Sequence, residues 1–140
     1  QDPASEYAAV IPRFITALMR GEPPTIYGDG EQTRDFTFVG NIVRANLHAL
    51  EHPSAPGKIF NIAMGAVNSL KQIVETLQEL TGVDIVPQYT EPRPGDIRHS
   101  LADVSKAAEI LQFEPQISVV EGLHVTIDWY RARSGAVGSN

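Results

Sequence analysis

Residues 25–39 constrain the fold most strongly, because a turn signal here separates two short runs of β-forming residues. The runs are Thr25–Tyr27 and residues 36–39, and Asp29-Gly30 lies between them. An Asp-Gly pair tolerates positive φ, so the chain can reverse direction here at little steric cost. Alternation in the second run places its two phenylalanines on one face. We therefore predict a β-hairpin over this stretch.

Arg34 stands at the mouth of the second run, directly before Asp35. A guanidinium held beside a glycine-rich turn suits a phosphate, because its planar fork can bind two oxygens at once. An Arg-Asp pair at the end of a strand is also typical of an ordinary surface ion pair. The chemistry of these residues leaves both interpretations open.

Composition excludes several classes of function. With 140 residues, 42% of them hydrophobic, the chain can form one compact core. A net charge of -6 and a pI of about 5.1 argue against nucleic acid or an anionic membrane as the main partner. The absence of cysteine excludes disulfides, thiolate nucleophiles and cysteine-bound zinc. No apolar run of membrane-spanning length and no signal peptide is present, so we expect a cytoplasmic location.

Capping and stop signals predict five helices. The first has Pro12 in its first turn and ends at Gly21, and the second is capped by Asn41 and runs to about His52, with Ile42, Val43, Leu47 and Leu50 as its apolar members. The third begins with a capping box at residues 69–72 and ends at Gly82. The fourth is a short helix over residues 105–111 capped by Asp103, and the last begins with a capping box at residues 118–121. Residues 58–63 and 83–89 are predicted strands.

His48 and His52 are four residues apart on a predicted helix, which is the spacing of two ligands on one metal ion. A third ligand is not evident in the sequence. A histidine pair near an exposed helix end is more often a simple surface feature, so we predict no metal site.

Two segments carry a resemblance to a known family. They are Gly28-Asp-Gly-Glu-Gln-Thr-Arg34-Asp35-Phe36 and Arg93-Pro-Gly-Asp96, the second followed by residues 103–106. In this order they resemble the C-terminal half of the extended short-chain dehydrogenase/reductase family, the nucleotide-sugar epimerases and dehydratases, and especially its UDP-glucose 4-epimerase-like members. The resemblance implies a mixed α+β (α/β) substrate-binding domain over residues 1–133, with a flexible tail at 134–140.

The resemblance also implies what this chain lacks. The family's N-terminal Rossmann half binds NAD through a G-x-G-x-x-G turn and carries a catalytic Tyr-x-x-x-Lys pair. Neither motif occurs here, since the only glycine cluster is Gly28-Asp-Gly30 and no tyrosine has a lysine four residues later. Gln1 in place of a methionine fits a chain cut from a longer one. We expect NAD in the full-length enzyme, no cofactor and no catalytic residue in this chain, and no activity for this chain alone.

The resemblance further implies a site for the diphosphate and base of a nucleotide sugar of the UDP-glucose or UDP-galactose type. Arg34 and Arg93 contact the diphosphate from two sides, while Asp96 accepts from the ribose or orients Arg93. The remaining implied ligand contacts are Tyr27 and Ile26 on one wall of the uracil pocket, Val10 and Pro12 on the other wall, and Gln32 as a polar contact. One departure from the family is Gly40-Asn41, which replaces an acidic pair and is expected to loosen the corner into the following helix.

Three functions remain open at this stage. The first is the nucleotide-sugar-binding part of an NAD-dependent 4-epimerase, and the second is the same part of a dehydratase. The third is a non-enzymatic binder that stands alone or docks on a separate Rossmann chain. If the Rossmann half is missing, as the resemblance implies, the surface built to face it, including residues 58–63, is expected to be exposed and to promote self-association.

Overall fold

Four α-helices and four short strands form the part of the chain that the structure, a computed structural model, describes, residues 10–136. In chain order the elements are α1 (Val10–Met19), β1 (Thr25–Tyr27), β2 (Thr33–Arg34), α2 (Val39–Glu51), β3 (Asn68–Ser69), α3 (Leu70–Thr81), β4 (Gln88–Thr90), a π-helical turn (Ala107–Leu111) and α4 (Val119–Ala136). The mixed helix and strand content confirms the predicted fold class. None of these helices is both long and apolar enough to cross a bilayer.

The strands pair over long distances in sequence, and the predicted hairpin is wrong. β1 pairs in parallel with β4, while β2 pairs antiparallel with β3. Residues 36–38 form no strand, and Val39 already belongs to α2. The Asp-Gly turn does reverse the chain, but the pairing partners of both flanking segments come from later in the sequence. Local turn chemistry therefore located the turn and could not identify the strand partners.

The main hydrophobic core lies between α1, α3 and α4. It includes Phe14, Leu18, Leu77 and Ile127, each at most 1% exposed. A second, smaller cluster joins α2 to the π-helical turn and its flank through Ala45, Leu111 and Phe113. The described chain thus has two apolar clusters, and the larger one carries the elements around the site described below.

Both predicted capping boxes are confirmed. Ser69 and Gln72 form a reciprocal capping box at the start of α3, which ends at Gly82 in the left-handed conformation. Ser118 and Glu121 form a second box at the start of α4. The predicted cap at Asp103 is wrong, because the π-helical turn has Lys106 as its N-cap without a side-chain bond, and Asp103 Oδ1 accepts from the backbone N of Ser105 before that turn. These signals are local, because a cap needs only residues within one helical turn.

Asn41 does not cap α2, contrary to the prediction. The helix begins at Val39, and Asn41 is fully buried inside its first turns. Its Oδ1 accepts from the backbone N of Gln116 and Ile117 at 3.1 and 3.0 Å, and its Nδ2 donates to the Ile117 carbonyl at 2.7 Å. Asn41 therefore fastens the loop before α4 to α2.

Gly40 and Gly122 leave room for the Phe38 side chain. A Cβ on Gly40 would lie 2.9 Å from the Phe38 ring, and one on Gly122 would lie 2.8 Å from the Phe38 Cβ. Both separations are far below normal contact distance. Close packing around Phe38 therefore requires glycine at position 40. This steric requirement, and not the expected loosening of the corner, is the role of Gly40 in the structure.

The predicted apolar members of α2 face mainly away from the chain's own core. Val43, Leu47 and Leu50 are 52%, 60% and 83% exposed, while the buried side of the helix carries Asn41 and Ala45. Residues 58–63 form no strand in the described structure, and Ile59 within this segment is 84% exposed. Residues 58–63 have no neighbouring strand to pair with in the described structure, which explains the difference from the prediction.

The C-terminal helix is longer than predicted. α4 continues to Ala136, into the segment predicted to be a flexible tail, and residues 137–140 lie outside the described residues. Trp129 on this helix is 52% exposed. Its ring packs edge-on against Tyr130 and under the Arg133 guanidinium.

The Asp29-Gly30 turn is fastened by the Asp29 carboxylate. It accepts from the backbone N of Glu31 at 3.0 Å and from both terminal nitrogens of Arg98 at 2.8 Å each. The Arg98 hydrogen bond, followed by the Glu31 backbone N–H, lowers the pKa of Asp29 from 3.8 to about 2. The turn is thus tied to a loop almost seventy residues later.

Replacing Asn41 with alanine should lower the free energy of unfolding by about 2–4 kcal/mol, because two backbone N–H groups and one carbonyl lose a partner that is itself fully buried. Urea denaturation of both chains measures the difference. Asn46→Ala is the matched control, since Asn46 lies on the same helix but is exposed. We expect that control to change stability by no more than about 0.5 kcal/mol. Equal urea midpoints for Asn41→Ala and the unmodified chain would contradict the fastening role.

The Asp29–Arg98 pair should stabilise the chain above about pH 4 and lose its effect as the pH falls towards 2. The sign follows because a carboxylate with a lowered folded-state pKa binds fewer protons folded than unfolded. The measurement is an NMR titration that follows the chemical shift of the Asp29 carboxyl carbon against pH, with an expected midpoint near pH 2. Arg98→Gln should move this midpoint up towards 3.8, whereas Arg20→Gln at the end of α1 should leave it in place. An unchanged midpoint in Arg98→Gln would refute the assignment.

Candidate functional site

A cavity of about 310 Å³ lies between α1, β1, β2 and the loop after β4. One part of its wall is apolar, and the other part carries three guanidinium groups and one carboxylate. The lining residues are Val10, Arg13, Phe14, Thr25, Tyr27, Gln32, Arg34, Phe36, Leu70, Arg93 and Asp96. Six of the eight residues predicted for the site therefore meet at this cavity.

Arg34 is held at the cavity by two hydrogen bonds. Its Nη2 donates to Asp96 Oδ1 at 2.6 Å, and its Nη1 donates to the carbonyl of Thr33 at 2.7 Å. The neighbouring Asp35 does not pair with it, because its two oxygens accept from the backbone N of Met64 and Gly65. The charge partner of Arg34 is thus Asp96, on the loop after β4, and not its sequence neighbour Asp35.

Asp96 reaches Arg34 because the loop that carries it runs alongside β2. The backbone N of Thr33 donates to the Arg98 carbonyl at 2.9 Å, and the N of Ser100 donates to the Thr33 carbonyl at 3.1 Å. The resemblance implied that Asp96 orients Arg93 or binds ribose. The structure shows it orienting Arg34, with the two side chains 36% and 27% exposed.

The Arg93 guanidinium lies over the Tyr27 ring, with its central carbon 3.9 Å from the ring centroid. This is a cation–π arrangement, which holds a guanidinium without neutralising it. Hydrogen bonding and charge from Arg93, followed by a hydrogen bond from Arg13, lower the pKa of Tyr27 below its usual value of 10. The Tyr27 hydroxyl therefore sits between two cations.

Arg13 is a cavity residue that the sequence reasoning did not single out. It lies on α1 one turn after Val10, so both side chains reach the same face of the helix. The sequence signal for Arg13 is its helical spacing from Val10 and its place next to Phe14, since all three residues line the cavity. With Arg13 included, three guanidiniums from three separate segments converge here.

Two predicted site residues lie elsewhere. The Ile26 side chain is fully buried in the main core and does not line the cavity. Pro12 lines a separate apolar cavity of about 350 Å³ beside Phe36 and Phe38, and its carbonyl accepts from the Thr16 hydroxyl. The alternation of side chains along β1 explains the first difference, since Tyr27 and Ile26 must point to opposite faces.

A second, larger cavity of about 620 Å³ adjoins the first. The two share Tyr27, Gln32, Arg93 and Asp96 in their walls, and the second is otherwise lined mainly by the Asp29 turn and the β4 loop. The stacked pair of Arg93 and Tyr27 therefore stands at the boundary between the two cavities.

The described residues do not form a dinucleotide phosphate turn. Such a turn opens directly into a helix whose N-terminus faces the phosphates. Gly28 and Gly30 have φ values of 81° and 79°, but the chain leads from them into β2. No group of three possible metal ligands occurs in residues 10–136, and His48 Nε2 lies 2.6 Å from the Leu111 carbonyl oxygen. We therefore derive no step of chemistry through NAD or a metal from this chain.

Comparison with known proteins agrees with this arrangement. Residues 2–63 match the model of the NAD dependent epimerase/dehydratase family. A UDP-glucose 4-epimerase of Mycolicibacterium smegmatis is 35% identical over 134 residues, which are 96% of this chain and 42% of that protein. The chain thus spans about two fifths of the length of this relative.

Solved structures show the same similarity in three dimensions. The UDP-glucose 4-epimerase of Thermotoga maritima with UDP-glucose has a TM-score of 0.87 and 42% identity, covering 95% of this chain and 42% of that one. The UDP-glucuronic acid 4-epimerase of Bacillus cereus, in complex with UDP-glucuronic acid and NAD, has a TM-score of 0.83 and 31% identity, covering 89% and 40%. Fold and sequence together place the chain in the NAD dependent epimerase/dehydratase family, within the extended short-chain dehydrogenases/reductases.

Proposed function

We propose that this chain binds the nucleoside diphosphate of a UDP-sugar and so supplies the substrate-holding part of an NAD-dependent sugar 4-epimerase. The observation that carries the proposal is the convergence of Arg13, Arg34 and Arg93 on one cavity with an apolar wall. A flat base can contact the apolar wall, while the diphosphate faces the guanidiniums. Both solved relatives contain a UDP-sugar, which is the ligand class that such a cavity suits.

Arg34 and Arg93 are the proposed diphosphate ligands. A diphosphate carries about two negative charges at neutral pH, and each charge-assisted hydrogen bond contributes about 1.5–3 kcal/mol. Both guanidiniums are held at the cavity by the chain itself, Arg34 by Asp96 and Arg93 by the Tyr27 ring. Side chains that are held in place lose less conformational entropy when the ligand arrives. Val10 and Tyr27 are the proposed contacts of the uracil ring.

The whole protein's reaction depends on residues outside this chain. We propose that it oxidises carbon 4 of the sugar, turns the keto sugar over and reduces it from the other face, with NAD as the hydride carrier. This chain contributes affinity and orientation, because it contains no Tyr-x-x-x-Lys pair. On this proposal the isolated chain is inactive.

The exposed apolar surface of α2 is the proposed contact with the N-terminal half of such an enzyme. Val39, Val43, Leu47 and Leu50 are all more than half exposed along one helix, and Ile59 is 84% exposed. A contiguous apolar surface of this kind marks an interaction site. Residues 58–63 belong to no strand in the described structure, so their backbone can offer hydrogen-bonding groups to a neighbouring strand.

Alanine at Arg34 or Arg93 should weaken binding of UDP about 10- to 100-fold for each substitution, and the double variant should show no measurable binding. Isothermal titration of the chain with UDP measures these affinities. Arg44→Ala is the matched control, because Arg44 is an exposed arginine on α2 outside the cavity wall. If the double variant bound UDP as tightly as the unmodified chain, the site assignment would be wrong.

The isolated chain should self-associate through the α2 surface, since four apolar side chains of this helix are more than half exposed. Sedimentation velocity over a range of concentrations should show species larger than a monomer. The double variant Leu47→Glu, Leu50→Glu should be monomeric with an unchanged circular dichroism melt, because both side chains are exposed in the folded chain. A strictly monomeric unmodified chain would count against the proposed contact surface.

A further inference from the structure

A groove outside the proposed nucleotide site carries two arginines without a charge partner. It has a volume of about 350 Å³ and lies between α1 and residues 20–25, which follow that helix. Its charged side chains are Arg13, Arg20 and Glu22. Within residues 10–136, none of the three takes part in an ion pair. In a chain with a net charge of -6, a concave surface with excess positive charge indicates an anion site.

The Arg20 guanidinium is not needed to end α1. Arginines near a helix C-terminus often bind the last carbonyl groups of the helix. Here the backbone N of Glu22 donates to the Ala17 carbonyl at 2.9 Å, and the N of Gly21 donates to the Leu18 carbonyl at 3.0 Å. With Gly21 at a φ of 68°, these two bonds form a Schellman motif. The Arg20 side chain has no hydrogen bond to another described residue, so it can bind a ligand.

Arg13 connects the groove to the cavity of about 310 Å³ that is proposed to hold the nucleotide, here called the nucleotide cavity. It lines both, together with Phe14 and Thr25, and it donates a hydrogen bond to the Tyr27 hydroxyl. Arg20 follows about two helical turns later, so the two arginines extend from the same side of the helix. An anion held between them has to share Arg13 with Tyr27.

We propose that the groove is a second anion site, which binds a phosphate group through Arg20 and Arg13 and lowers the affinity of the nucleotide cavity. Each guanidinium can bind two phosphate oxygens at once. The bound phosphate draws Arg13 away from the nucleotide cavity and adds negative charge beside it, so a nucleoside diphosphate binds more weakly. The volume of the groove is large enough for a small phosphate ester as well as for free phosphate. The site stands without the proposed function, whereas its effect on nucleotide affinity rests on that function.

The first test uses the Arg34→Ala, Arg93→Ala chain, so that phosphate bound in the nucleotide cavity does not mask the groove. Inorganic phosphate and phenyl phosphate are titrated at constant ionic strength, and the Gly21 amide signal is followed by NMR. Adding Arg20→Gln should weaken binding about 10- to 100-fold, the loss of one strong charge-assisted contact. Tighter binding of phenyl phosphate would assign the groove to phosphate esters, and tighter binding of inorganic phosphate would assign it to the free ion.

Two further variants separate binding from a structural effect. Glu22→Gln in the same background should bind phosphate about 3- to 10-fold more tightly, because a like charge is removed from the groove. A gain in affinity cannot result from a loss of folded chain. Arg44→Gln is the matched control, since this exposed arginine on α2 lies outside the groove, and it should leave binding unchanged. An Arg20→Gln chain that binds phosphate as tightly as its parent would overturn the site.

The effect on the nucleotide cavity is tested by titrating UDP into the unmodified chain and into Arg20→Gln, each with and without phosphate. Arg20 does not line the nucleotide cavity, so both chains should bind UDP equally when phosphate is absent. Phosphate competes directly in both, and the unmodified chain should lose about 5-fold more affinity than the variant. An equal loss in both chains would overturn the coupling. Absence of UDP binding would overturn the proposed function and the coupling, while the phosphate titration still decides the site.

Discussion

The parallel pairing of β1 with β4 is the contact on which the site depends. Thr25–Tyr27 lies beside Gln88–Thr90, and the pairing is extended by a hydrogen bond from the Gly28 N to the Thr90 carbonyl at 2.9 Å. The loop after β4 is thereby placed against Tyr27. Without this pairing Arg93 could not stack on Tyr27, and Asp96 could not reach Arg34.

Three arginines around the two cavities are held by two kinds of partner, a carboxylate or an aromatic ring. Arg34 is paired with a carboxylate, Arg93 is stacked on an aromatic ring, and Arg98 is bound to Asp29 at the edge of the second cavity. Stacking leaves the guanidinium edge free to donate, whereas a carboxylate competes with an incoming phosphate. Arg93 is therefore the guanidinium of this group best prepared for an anionic ligand, and binding at Arg34 has to weaken or share its contact with Asp96.

The two capping boxes agree with the structure, whereas the predicted hairpin and the predicted cap at Asn41 do not. The capping boxes at Ser69 and Ser118 are confirmed because all their atoms lie within one helical turn. The hairpin at Asp29-Gly30 is wrong because both flanking segments pair with strands from later in the chain. The sequence predicts a cap at Asn41, yet the partners of its side chain lie some 75 residues away, where no local pattern could identify them.

The sequence by itself determined the helix boundaries set by caps and glycines, the family, and the two arginine-bearing segments that form the site. Tertiary structure decided which side chains meet. Arg13 lines the cavity because it lies on the same face of α1 as Val10, and Ile26 lies in the core because side chains alternate along β1. Asp96 pairs with Arg34 and not with Arg93. The physical reason is range, since caps and motifs are interactions over a few residues, whereas a cavity is built from segments brought together by strand pairing and core packing.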